Sequence, residues 1–204
     1  MCYNEHMPKI VNHEQKKEYI AAAAWRVILR EGMKGATVRG IAQEAGMSLG
    51  ALRHYFSTQE DLIAYAMQLV RERALLRITA NDRPDLPPKT RVLNLLFEVV
   101  PWSEDTRAEM DVWLAYVFSL GPKADTLGVQ QEMRTGMQSL IAYLSEVRML
   151  REGTDPELAA ETLYSLVDGL AMHAYLEPGR LSKERIAAVL TGYLDSICVA
   201  EQGG

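Results

Sequence analysis

Residues 37–56 read TVRGIAQEAGMSLGALRHYF, and this stretch decides the fold. Val38, Ile41, Ala42 and Ala45 fall at the i, i+3, i+4, i+7 spacing that places apolar side chains on one helical face. Thr37 stands just ahead of them as an N-cap, where its hydroxyl can accept from backbone N–H groups the helix leaves unpaired. Gly46 follows the last periodic residue, where a helix needs a left-handed C′ position. Ser48 then caps a second helix, with Leu49, Leu52 and Phe56 at helical spacing. Ala42 and Ala45 are small, so the second helix can cross the first closely. Two short helices across a Gly-containing turn make a helix-turn-helix, a unit that offers one side of its second helix to the DNA major groove.

Exposure assigns the roles. Ser48, Gly50, Ala51, Arg53 and His54 are the outward positions of the second helix. Gly50 and Ala51 lack bulk, so the backbone can approach the groove floor, and Ala51 can touch a thymine methyl. Arg53 suits a base edge, because its fork matches guanine O6 and N7; a phosphate or solvent is the competing partner. Thr37 and Arg39 open the first helix of the pair and are expected at phosphate, through hydroxyl, guanidinium and the helix N-terminus. His54 has two readings, a backbone contact or a packing histidine. Tyr55 is expected to pack with its ring and donate its hydroxyl to phosphate.

The run from Ala22 to Ile63 resembles the DNA-binding domain of the TetR family of bacterial repressors. Gly32, Gly35, Thr37, Ile41, Ala42, Ala45, Gly46, Ser48, Gly50, Leu52, His54, Tyr55, Phe56, Glu60 and Leu62 carry the resemblance, which covers about the first third of the chain. His54 and Tyr55 resemble the family's backbone-contacting pair. The sequence departs from the family pattern at Arg53, where Tyr is common, and at Gln59, where a phosphate-contacting Lys is common. The resemblance implies a homodimer on a near-palindromic operator in a bacterial cytoplasm, released by a small-molecule effector. Two further phrases, VVPWSEDTRAEMDVWLAYV and LVDGLAMHAYLEPGRLS, look similar to a TetR subgroup that includes repressors of choline-to-betaine genes.

Charge agrees with such a division of labour. The chain has 204 residues and a net charge of −5. Residues 1–60 carry eight Lys/Arg against six Asp/Glu, while residues 61–204 carry fourteen against twenty-one. A mildly positive head on an acidic body suits a module that binds phosphate and a body that avoids it. Apolar residues make up 48%, the balance of a globular protein. No apolar run approaches the ~20 residues needed to span a bilayer, so no membrane role is expected. No secretion signal is visible, and residues 1–6 read as a leader ahead of a second start-like Met7. Cys2 and Cys198 are expected to be unpaired thiols.

The rest of the chain reads as helix throughout, about nine in all. A first helix over 13–31 carries Ile20, Ala24, Val27 and Ile28 inward and ends at Gly32. Trp25 reads as packing; Lys16 and Lys17 read as phosphate contacts or a solvated face. Ser57-Thr58-Gln59-Glu60 reads as an S-x-x-E capping box opening a helix that runs to about Ala80. The resemblance makes that helix the carrier of the ligand signal. NDRPDLPP at 81–88 breaks it. Further helices are expected over 89–100, 104–120, 125–151, 155–176 and 182–199, the fourth with Asp155 as cap and Pro156 at N1. The fold class is therefore all-α: a three-helix helix-turn-helix domain over 1–60 and a larger ligand-binding and dimerisation domain over 61–204. The wide apolar stripes of the last two helices suggest a four-helix interface between two copies.

Phe97, Trp102, Trp113, Tyr116, Phe118, Met133 and Met137 are the candidate effector-binding group, since Met and aromatic side chains suit an adaptable pocket; plain core is the alternative for each. Trp102 and Trp113 can cage a cationic ligand, with Glu109 as counter-charge. The effector is accordingly expected to be hydrophobic or cationic. No catalytic set, metal-ligand spacing or cofactor motif is visible, and no cofactor is expected. The competing function is a helical ligand- or partner-binding protein that does not read DNA, suggested by the missing Lys at position 59.

Overall fold

A computed structural model describes residues 9–120 and 128–200, with side chains for 15–58, 60–118 and 128–200. Expectations for residues 1–6, Cys2, the Gln59 side chain and the first residues of the helix proposed from 125 lie outside what is described. Among the described residues there are nine helices and no strand; the only β pairing is one antiparallel bridge, Leu150 with Cys198.

The chain divides into two compact units, Met1–Val70 with Asp111–Gly121, and Arg71–Met110 with Pro122–Gly204. Helices α4 (Gln59–Asn81) and α6 (Glu104–Leu120) each contribute to both.

In the first unit α1 (Lys9–Gly35) is broken at Gly32, whose φ of 68° and ψ of −179° no helix contains. The expected end at Gly32 is thus the site of the break, with a further short turn to Gly35. Ile20, Ala24, Val27 and Ile28 are buried as the periodicity requires, and Trp25 is buried with them. α2 (Val38–Glu44) packs on α1 and on α3 (Leu49–Arg53). Ile41, Ala42, Ala45, Leu52 and Phe56 form the buried side of this corner. The Tyr65 ring lies 4.9 Å from that of Phe56, and its hydroxyl donates to the Lys17 carbonyl at 3.1 Å.

In the second unit α5 (Pro88–Phe97), α7 (Val129–Glu146), α8 (Pro156–Leu176) and α9 (Lys183–Ile197) surround one apolar core. Val92, Leu96, Ile141, Leu144, Leu163, Val167, Ile186 and Leu190 are at its centre. Asp155 caps α8 by accepting from the N–H of Glu157 and Leu158, and Ser182 caps α9 by accepting from Arg185 N–H.

α1 starts at Lys9 rather than 13, α5 ends at Phe97 rather than 100, α9 ends at Ile197 rather than 199, and two further boundaries differ from expectation. α7 ends at Glu146, not at 151. Arg148 takes the left-handed C′ position with φ 58°, and Met149 N–H returns to the Leu144 carbonyl at 2.8 Å while Arg148 N–H bonds Ser145 at 2.9 Å, closing a Schellman turn. Residues after it run extended: Val199 N–H donates to Met149 O and Arg151 N–H to Ile197 O. The helix cannot continue because those backbone groups pair with the chain terminus instead. The second difference is the box before α4. Thr58, not Ser57, is the cap: Asp61 N–H donates to its hydroxyl at 3.0 Å, and the Asp61 carboxylate accepts from Thr58 N–H at 3.0 Å and from Ser57 N–H at 3.2 Å. The sequence STQED contains both S-x-x-E and T-x-x-D, and the second is the one formed.

Candidate DNA-reading surface and effector-binding body

The caps of the helix-turn-helix are formed as the sequence requires. Thr37 Oγ1 accepts from Gly40 N–H at 3.0 Å, and Ser48 Oγ accepts from Ala51 N–H at 3.1 Å. Gly46 sits at φ 60°, the left-handed position between the two helices. Gly40 is also required: a Cβ there would lie 3.1 Å from the Gly35 carbonyl oxygen and 3.2 Å from Thr37 Oγ1. The close approach of the first turn of α2 to the end of α1 leaves little room for a side chain.

These contacts fix what α3 presents. Ser48, Gly50, Ala51, Arg53 and His54 are all exposed, while Leu52 between them is fully buried. A Cβ on Gly50 would meet nothing within 4 Å, so its surface is open. Arg53 and Arg39 are exposed and make no ion pair or hydrogen bond among the described residues. Thr37 is exposed beside them. His54 stands edge-on to Tyr55 with ring centroids 5.8 Å apart, and Tyr55 is half-buried. Gln59 opens α4, and its backbone is placed directly after the capping turn.

Glu44, which the sequence did not single out, holds this surface to α1. It accepts from Arg26 Nε at 2.7 Å and from Arg30 Nη1 at 3.0 Å. Those two guanidinium groups, Arg26 first, hold its carboxyl below the ordinary 4.5. An acid in the last turn of a helix opposes the macrodipole, and the two arginines offset that. The spacing that could have shown it, four between Arg26 and Arg30 on one face of α1, is common on solvated helices.

The candidate effector residues are distributed over both units. Trp113, Tyr116 and Phe118 belong to the first; Phe97, Trp102, Met133 and Met137 to the second. Tyr116 is fully buried and Trp113 half-buried. Phe118 is 79% exposed, so the expectation that it faces inward is corrected: it lies past the last buried turn of α6. Met137 lies in the core of the second unit with Phe97 and Met133 packed against it. Trp102 is 43% exposed, and its indole N–H donates to the Phe97 carbonyl at 2.9 Å. Lys183 Nζ stands 3.7 Å over the Trp102 ring. A shallow cavity of about 200 Å³ between α7 and α8 is lined by Gln138, Ile141, Ala142, Pro156, Glu157 and Ala160, none of them a candidate.

Glu109 does not act as a spare counter-charge. Both its oxygens are taken by Arg77, at 2.5 and 2.7 Å, and Arg77 also donates to the Glu98 carbonyl at 3.1 Å. Burial pushes the Glu109 carboxyl above 4.5, and Arg77 pulls it part of the way back. The pair lies 32 residues apart in sequence, which no helical spacing reveals.

Comparison with known proteins decides the class. The model for bacterial regulatory proteins of the tetR family matches residues 20–66, and the model for the BetI-type transcriptional repressor C-terminal domain matches 88–199. The HTH-type transcriptional regulator PksA of Bacillus subtilis (strain 168) is 49% identical over 196 residues, 96% of each chain. The chain belongs to the TetR family. A solved TetR-like neighbour, a transcriptional regulator from Rhodococcus sp. Rha1, shares 26% identity at a TM-score of 0.72, covering 88% of this chain and 94% of its own. A second, a transcriptional regulator from Saccharomonospora viridis in complex with choline, has the same fold at 22% identity and a TM-score of 0.79, covering 92% and 100%. As a TetR protein the chain is a DNA-binding transcriptional regulator with a BetI-type C-terminal domain, not an enzyme. No described helix is long and apolar enough to cross a membrane.

Proposed function

We propose that this regulator is a homodimeric, effector-released repressor of the bacterial cytoplasm that holds a near-palindromic operator through α3 of each copy. The observation that carries the reading is the outward row Ser48, Gly50, Ala51, Arg53 and His54, set by two side-chain caps and backed by buried Leu52. Thr37, Arg39 and Gln59 take phosphate around it, Tyr55 and His54 the adjacent backbone, and Arg53 a guanine edge. Residues 1–60 are the reading domain and 61–204 the regulatory one.

Dimerisation is assigned to the outer faces of α8 and α9. Leu158 and Leu176 on α8 are 65% and 63% exposed, and Leu166, Val189 and Ile197 are half-buried, apolar surface that a second copy would cover. Two copies place their recognition helices about 34–36 Å apart, one DNA turn, or a multiple of it. An effector bound in the second unit among Phe97, Trp102, Met133 and Met137 favours a spacing of the two heads that no longer fits, which it can do only by binding one state better.

A gel shift on the DNA upstream of its own gene, with and without excess unrelated duplex, tests this. A specific shift by a species of two chains is expected. A protein that stays at the mass of one chain and shifts no upstream fragment would end it.

A further inference from the structure

The charge pairing in the second unit points to the chemical class of the effector. This inference rests on the reading of the chain as effector-controlled. Four of that unit's described arginines are half-buried: Arg71, Arg77, Arg91 and Arg107. Arg71 pairs with Glu132, Arg77 with Glu109 at 2.5 Å, and Arg91 with Asp82 at 2.6 Å. Arg107 has no carboxylate among the described residues. Its Nη1 and Nη2 reach one acceptor, the Ala174 carbonyl, at 3.4 and 3.2 Å. Ala174 lies in the last turn of α8, so the guanidinium rests at the negative end of that helix. A guanidinium has five N–H donors in a fixed fork, and one carbonyl leaves most of them for a planar anion.

Several groups that could receive a cation are already engaged. Lys183 Nζ sits 3.7 Å from the Trp102 ring centroid and 5.4 Å from that of Phe97, and the Arg91 guanidinium lies 4.6 Å from the Tyr143 ring. Glu109, the one buried acid among the described residues, is clamped by Arg77. Asp168 is exposed, six residues before Ala174 and so about 240° round the helix from it. Lys183 adds a second positive charge on Trp102, five residues ahead of Arg107.

We propose that Arg107 is the anion-recognition point of the effector site, and that the effector is an apolar molecule bearing a carboxylate. The carboxylate takes the Arg107 N–H groups that Ala174 leaves, and the apolar part lies among Met and aromatic side chains.

The test uses three probes of one shape: 2-naphthylacetate, its uncharged amide, and the matching trimethylammonium salt. Each is titrated calorimetrically into the full-length protein, and release from the upstream DNA is read by gel shift. The carboxylate is expected to bind at least about tenfold more tightly than the amide and to release DNA, with Arg107→Gln abolishing that preference and Arg107→Lys keeping part of it. Preference for the trimethylammonium salt, silence of all three, or an unchanged preference in Arg107→Gln overturns the proposal. So does a shift of Arg107→Gln from two chains to one in sedimentation, since Arg107 would then be pairing with the other copy. The effector-free wild type is run on the same DNA, so failure of the regulator reading itself registers separately as no shift.

Discussion

Arg77 on α4 grips Glu109 on α6 through two parallel hydrogen bonds, 2.5 and 2.7 Å long. Glu109 is 7% exposed, and desolvation raises its folded pKa above 4.5. A raised carboxyl pKa means this group favours the folded state most below 4.5 and loses that contribution as pH rises through the folded value. Arg77 is what makes the charged form tolerable at neutral pH. Glu109→Gln therefore leaves Arg77 with Glu98 as its only carboxylate partner among the described residues and is expected to cost about 2–3 kcal/mol at neutral pH. The loss should be largest in acid, below 4.5, and shrink as pH rises through the folded value, since Gln does not titrate. Urea denaturation of both proteins at several pH values checks the trend; a pH-independent difference would mean the loss is one of packing.

Glu44 behaves with the opposite sign. Its folded pKa lies below 4.5, held there by Arg26 and then Arg30. Its contribution is complete above 4.5 and disappears as pH falls through the lowered folded value. Wild type should lose stability relative to Glu44→Gln over that acid range, and high salt should narrow the gap at neutral pH because Arg26 and Arg30 are exposed. Melting curves of the two proteins across pH and salt provide the measurement.

Arg53→Ala should relax specificity at a single base pair, at a cost of about 1–3 kcal/mol for the preferred operator. Competition gel shifts with operators changed one position at a time read it. Equal weakening on every sequence would make Arg53 a phosphate contact.

Thr37→Ala and Ser48→Ala each remove a cap, and each should cost about 1 kcal/mol of stability. The two losses should be followed by chemical denaturation, with circular dichroism confirming that the body stays helical. Ser48→Ala should weaken operator binding further, because Ser48 is also on the exposed row of α3.

Gly32→Ala should destabilise the protein by about 1–3 kcal/mol through its backbone alone. The φ of 68° and ψ of −179° lie in a region kept for glycine, whereas the added Cβ would stand 3.4 Å from Asp111 Oδ2, an ordinary contact. Equilibrium unfolding of the variant gives the value.

The helix-turn-helix was legible because its information is local. Thr37, Gly46 and Ser48 act on backbone groups within three residues of themselves, and the same short reach makes Asp155 and Ser182 readable as caps. Where two local signals overlap, sequence does not choose: Ser57 and Thr58 both head a box, and Asp61 selects Thr58 by bonding back to it. Arg148 hid the end of α7, since the left-handed position usually goes to glycine and Gly153 stood nearby. The body was less legible because its decisive pairs are distant. Lys183 covers Trp102 from 81 positions away, and Arg77 meets Glu109 from another helix. Composition showed the aromatics and the acid; only tertiary contact shows that both are already occupied by the protein's own cations.

The extended strip after Arg148 has a practical consequence for anyone handling the gene. Met149 and Arg151 depend on partners at Val199 and Ile197, and the Arg151 side chain donates to the Cys198 and Asp195 carbonyls at 2.9 and 3.0 Å. A stop codon introduced before Val199 would remove a backbone partner of the strip that follows α7, so shortened versions should retain it and affinity tags should be appended downstream.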